Sequence, residues 1–146
     1  MDTIASIMEA KGNKIYTVKS STSVLEALQL MFDKGIGALP VMDEETLVGI
    51  FTERDFARLA VREKKVDLAT AVESCMTKEV YGIKPDEDIE EVMALMIARH
   101  IRHVPVVEAN KMVGILSIGD VVENLVEDKD LLVKDMRDYL LGGSAQ

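Results

Sequence analysis

Two stretches of the chain place a hydroxyl and a carboxylate three residues apart, directly after a short apolar run: Gly49-Ile-Phe-Thr52-Glu-Arg-Asp55 and Gly114-Ile-Leu-Ser117-Ile-Gly-Asp120. On the first turn of a helix, residues at that spacing are neighbours. Each stretch therefore gathers one hydroxyl, one carboxylate and unpaired backbone N–H groups at a single point. An ionised carboxylate only accepts hydrogen bonds, so Asp55 or Asp120 can take both hydroxyl protons of a ribose, while the hydroxyl and the helix N–H groups meet a phosphate. The same spacing also spells a capping box, in which the pair serves nothing but its own helix. Spacing alone leaves both readings open. Arg54 and Arg58 lie one turn apart beside Asp55, where they either serve the same ligand or pair with neighbouring acids such as Glu53.

A second cluster, Arg99-His100-Ile101-Arg102-His103-Val104-Pro105, puts both histidines of the chain and two arginines on one loop. Bidentate and rotatable donors suit a phosphate, although a solvated basic loop with no ligand has the same composition. A metal reading of His100 and His103 lacks a third and fourth ligand at zinc spacing. No metal is expected. Walker A, G-x-G-x-x-G, H-E-x-x-H and G-x-S-x-G patterns are all missing, and neither Thr52 nor Ser117 has a histidine at a supportive position in its own copy. The chain is therefore expected to be no enzyme and to hold no catalytic cofactor. Cys75 stands alone, which excludes an internal disulfide and a cysteine cage, and it reads as a small buried hydrophobe. The methionines, among them Met31, Met93, Met96 and Met112, read as core filler.

The elements that position these residues come twice. Sliding residues 15–58 onto residues 80–123 gives 12 identities in 44 positions, against about three expected by chance. Pro40/Pro105, Val41/Val106, Gly49/Gly114, Ile50/Ile115 and Asp55/Asp120 are among them. Each copy reads as β-α-β-β-α. Residues 14–18 and 79–83 are rich in strand formers. Ser23 with Glu26, and Asp88 with Glu91, spell capping boxes ahead of apolar positions repeating every three or four residues. Gly35 can close the first helix in the left-handed region, where the second copy has His100. Two hairpins follow, each with a proline that must sit at a strand start or an edge. One copy leaves an apolar face it cannot bury alone, so the two copies are expected to share one core. The boundaries read as a first repeat over 6–61, a linker over 62–73, a second repeat over 74–127 and a C-terminal helix over 128–141. Leu132, Met136 and Leu140 on that helix form an apolar face with no place in either repeat, which points to a homodimer or a client protein.

Composition narrows the classes further. Of the 146 residues, 48% are apolar and 29% charged, which is the make-up of a globular chain. A formal net charge of −9 repels nucleic-acid phosphates, and no basic stripe offsets it, so no nucleic-acid partner is expected. No apolar run approaches the ~18 residues of a membrane span. Asp2 and Glu9 stand where a secretion signal carries basic residues, and the expected location is cytoplasmic, with no membrane partner.

The blocks from Ile36 to Asp55 and from Ile101 to Asp120 resemble tandem cystathionine-β-synthase-type (CBS) domains, in register across both halves from about Ser6 to Glu127. The resemblance implies a disc with a pseudo-twofold axis, two repeats packed sheet to sheet, and two clefts that take adenosine phosphates, S-adenosylmethionine or NAD as regulatory ligands. It maps the ribose carboxylates onto Asp55 and Asp120 and the hydroxyls onto Thr52 and Ser117. It maps strand-edge contacts to adenine near Val18, Ile36, Gly37 and Ala38 in one copy, and near Ile83, Ile101, Arg102 and His103, running on to Pro105, in the other. The loop Gly35-Ile-Gly-Ala38 lacks the basic pair of Arg102 and His103, so the clefts are expected to differ. The better one is expected to join Thr52, Asp55, Arg54 and Arg58 to the loop of the second copy. A ligand-free module that only binds a partner protein is the competing expectation.

Overall fold

The computed structural model describes residues 3–12 and 14–128, together with 137, 140 and 141. Helix α1 (Ile4–Lys11) comes first. The first repeat follows as α2 (Val24–Lys34), a hairpin of β1 (Ala38–Asp43) and β2 (Thr46–Thr52), and α3 (Glu53–Glu63). A 3₁₀ turn at Val72–Ser74 leads to the second repeat, α4 (Ile89–Arg99), β3 (His103–Glu108), β4 (Lys111–Ser117) and α5 (Ile118–Asp128). The fold is α+β, with two small antiparallel sheets. Register repeats between the copies, Ala38↔Thr52 against His103↔Ser117, down to a bulge at Val41/Met42 matched by one at Val106/Val107. No helix among the described residues is long and apolar enough to cross a membrane.

Local chemistry accounts for most element ends. Ser23 accepts the Glu26 N–H at 3.1 Å and starts α2. Gly35 closes that helix at φ 65°, and His100 closes α4 in the same left-handed conformation at φ 55°. Asp88 makes no side-chain cap, contrary to the S/D-x-x-E pattern. Its backbone is instead paired with Thr3, a long-range contact that local spacing does not encode.

The strands expected at 14–18 and 79–83 contract to single parallel bridges, Val18↔Val41 and Ile83↔Val106. Val18 N–H donates to the Pro40 carbonyl and Met42 N–H to the Val18 carbonyl. The next donor along that ladder would be the backbone nitrogen of Pro40, which carries no hydrogen. Pro105 interrupts the second ladder in the same way. Both prolines sit inside their strands rather than at a start, at the point where a missing donor leaves the outer strand one residue long.

The expectation of one shared core is corrected. Buried apolar residues form two clusters. One contains Val24, Met31, Leu39, Val41, Phe51 and Leu59 of the first repeat and is completed by Val72, with Cys75 and Met76 packed against it. The other contains Ile89, Val92, Met96, Val104, Val106, Leu116 and Val121 of the second repeat and is completed by Ile4 and Ile7 of α1. The copies are thus crossed: the segment leading into each repeat fills the core of the other. The linker tail is correspondingly part of the fold, since Thr70 and Leu68 carbonyls accept the first two N–H groups of α2 and Val72 is fully buried. Gly49 allows this crossing. A Cβ there would stand 2.7 Å from Met76 Sδ and 2.8 Å from the Thr77 carbonyl oxygen. The expected C-terminal helix over 128–141, with its dimer face of Leu132 and Met136, lies outside the described residues except at Asp128, Arg137, Leu140 and Leu141.

Candidate functional site

Strand β2 ends at Thr52 and α3 begins at Glu53, so the helix start is aimed from a sheet edge. Both halves of the capping box form: Thr52 Oγ1 accepts the Asp55 N–H at 3.1 Å, and Asp55 Oδ2 accepts the Thr52 N–H at 2.9 Å. A third bond arrives from the crossing segment, where the Thr77 hydroxyl donates to Asp55 Oδ1 at 2.9 Å. Asp55 is only 5% exposed and is the one buried charged residue among the described residues. A carboxylate has about four acceptor sites. Two are used, and Asp55 also lines a cavity.

That cavity is about 430 Å³, within the ~300–1,000 Å³ of small-molecule sites. One wall is the start of α3 with Thr52, Arg54, Asp55 and Arg58, and another is the loop from Arg99 to His103 of the second repeat. Thr77, Glu79, Val80 and Tyr81 close the third side. Arg54 reaches across to the His100 carbonyl at 3.5 Å, so the two repeats meet here. Gly37 lies at the inner edge: its carbonyl accepts the Glu53 N–H at 3.2 Å, and a Cβ on it would sit 2.8 Å from Glu53 Oε1. Four arginines, 54, 58, 99 and 102, face three carboxylates, Glu53, Asp55 and Glu79, which makes this a basic spot on an acidic chain.

The arginines are not equivalent. Arg99 lies 4.4 Å over the Tyr81 ring and donates to its hydroxyl at 2.6 Å, which fixes both side chains. The first repeat has a weaker echo, Lys34 at 5.1 Å from the Tyr16 ring. Burial, with help from the nearby Lys11 and Arg102 charges, pushes His103 below the usual histidine range against the pull of Asp120, and the neutral imidazole is favoured.

The structure brings together Thr52, Arg54, Asp55, Arg58, Gly37, Ile101, Arg102 and His103 from the expected set. Val18, Ala38, Ile83 and Pro105 are buried, Val18 in the first core and Ile83 in the second, and Ile36 packs against the first core. Ser117 and Asp120 stand at the start of α5, where their own capping box forms with bonds of 2.8 and 3.1 Å. Thr77, Glu79, Val80 and Tyr81 were not anticipated from the motifs. The repeat held a partial signal for them: Tyr81 aligns with Tyr16, and Arg99 with Lys34. Among the described residues, no three of His, Cys, Asp and Glu gather as a metal site.

Comparison with known proteins agrees with this architecture. The sequence model of the CBS domain matches residues 4–62 and again 72–127. A solved CBS-domain protein from Burkholderia ambifaria MC40-6 superposes with a TM-score of 0.83 at 42% identity, covering 88% of this chain and 96% of that one. The CBS domain pair of protein MJ0100, solved with 5-methylthioadenosine and S-adenosyl-L-methionine, gives 0.77 at 28% identity, covering 88% and 99%. CBSX2, solved in complex with AMP, gives 0.73 at 29% identity, covering 87% and 98%.

Proposed function

The chain belongs to the CBS domain family as a tandem pair, and we propose that it is a regulatory module binding an adenosine phosphate in the Asp55 cleft. The observation that carries this reading is the cavity between the repeats, where arginines from both copies converge around a buried carboxylate on a chain of net charge −9. The relatives solved with AMP and with S-adenosylmethionine support the ligand class. On this reading Asp55 accepts from the ribose hydroxyls, beside the Thr52 and Thr77 hydroxyls. Arg54, Arg58 and Arg102 meet the phosphate, and Val80 and Ile101 offer apolar surface to the base. The chain carries no catalytic step of its own and signals by being occupied or empty.

Calorimetry of the full chain with AMP, ATP, NAD and S-adenosylmethionine tests this. Uptake of an adenosine phosphate that weakens with added salt, as partly exposed arginines require, supports it. No heat and no thermal shift with any of the four would refute it. Arg102→Ala is expected to weaken ATP more than adenosine, since it removes a phosphate donor and leaves the base contacts; equal losses would remove Arg102 from the phosphate.

A further inference from the structure

Asp55 and Asp120, the two capping-box carboxylates, take their outside hydrogen bond from different donors. In the first copy Thr77 donates two bonds: its backbone N–H to the Ile50 carbonyl at 2.9 Å and its hydroxyl to Asp55 Oδ1 at 2.9 Å. Ile115 and Asp120 hold the corresponding places in the second copy. There a single donor serves both acceptors. Lys11 Nζ lies 2.7 Å from the Ile115 carbonyl oxygen and 2.7 Å from Asp120 Oδ2.

The substitution changes the chemistry of the cleft. A threonine hydroxyl is neutral, rotates and can still accept a bond from a ligand; an ammonium only donates and carries a full charge. Lys11 neutralises Asp120 by a charge-assisted bond that is partly shielded, the two side chains being 33% and 20% exposed. Burial tends to raise the Asp120 carboxyl, but the Lys11 bond and charge, with the Ser117 N–H and hydroxyl, outweigh it and hold the group below its usual range. A ribose seeking Asp120 would have to displace that ammonium. Lys11 is held in place from behind, because Ile4 and Ile7 of the same helix are buried in the second core.

We propose that Lys11 is a built-in occupant of the ligand position beside Asp120, so that the chain takes up one adenosine ligand, at Asp55, and gains a second site only when Lys11 is replaced. This rests on the adenosine-phosphate reading above. The test is AMP stoichiometry by calorimetry on the full chain. Wild type is expected to bind one AMP and Lys11→Thr two. Asp55→Asn is expected to bind AMP roughly ten- to a hundredfold more weakly, and Asp55→Asn with Lys11→Thr to show one tight site. Lys11→Met, which keeps the apolar stem over the core, is the second variant should the threonine protein fold poorly, with the same stoichiometry expected. Two equal AMP sites in wild type, or a single site that persists in both folded Lys11 variants, would overturn the proposal. If wild type binds none of AMP, ATP, NAD and S-adenosylmethionine, the functional reading falls. The plug then stands if a Lys11 variant binds AMP and falls if neither does.

Discussion

At the scale of single residues, Asp55 takes the capping role that the spacing allowed, and it also lines the cavity where the proposed ligand would sit. A substitution that separates the two roles is Asp55→Asn, which can keep the bond to the Thr52 N–H while losing a charged ribose acceptor. A lost charge-assisted contact is worth about 1.5–3 kcal/mol, roughly ten- to a hundredfold in Kd. Calorimetry is expected to show that loss with an unchanged circular dichroism spectrum. Asp55→Ala additionally removes the cap, at a cost of about 0.5–2 kcal/mol in stability, visible as a lower denaturation midpoint. His103 gives the site a pH dependence. Its folded value lies below the 6.5 of an unperturbed histidine, so the unfolded chain binds the proton first and stability is lost as pH falls from 6.5 through the folded value. Denaturant midpoints taken from pH 7.5 downwards are expected to drop, and less so in His103→Gln; a drop of the same size in both would place the pH dependence elsewhere. Asp120 acts lower, its contribution fading only below 3.8 as its carboxyl protonates.

At the scale of elements, the repeat made the helices and hairpins legible because periodicity and turn chemistry are local. Val24–Lys34 and Ile89–Arg99 follow from apolar spacing and left-handed closing residues. What was not legible depends on partners far away in the chain. The strand at 14–18 has strand-forming residues, but its length is set by the missing donor of Pro40. Asp88 has the right spacing for a cap but makes no side-chain cap bond, and its backbone pairs with the distant Thr3. Thr77 and Tyr81 belong to the site only because the crossing segment runs past β2, which no single-copy motif records. Gly49 was visible as a repeated glycine, and its reason became clear only with that crossing. The two glycines are accordingly expected to respond differently to alanine. At Gly49 the new methyl meets the Thr77 backbone oxygen, which is tied to Ile50 and cannot yield cheaply. At Gly114 it meets the flexible end of Met8. Overpacking of the first kind costs about 1–3 kcal/mol, so thermal denaturation should place Gly49→Ala clearly below Gly114→Ala. The opposite order would mean that the crossing is looser at Thr77 than its backbone bonds indicate.

At the scale of the whole molecule, crossing the lead segments makes the halves interdependent without a common core. Ile4 is fully buried among second-repeat residues although it precedes the first repeat. Ile4→Ala is expected to cost about 2–5 kcal/mol, a large share of the 5–15 kcal/mol of a typical domain. Residues 1–72 expressed alone should not give a folded monomer, since α1 then has no core to enter and the first core lacks Cys75 and Met76; a cooperative, monomeric half would contradict the crossing. The same interlock places the walls of the cavity on different repeats, so a ligand bound there would touch both copies. The most direct test of the account is AMP calorimetry on the full chain carrying either Asp55→Asn or Asp120→Asn. Affinity lost with Asp55→Asn and retained with Asp120→Asn is the expected result, and affinity retained with Asp55→Asn but lost with Asp120→Asn would contradict it.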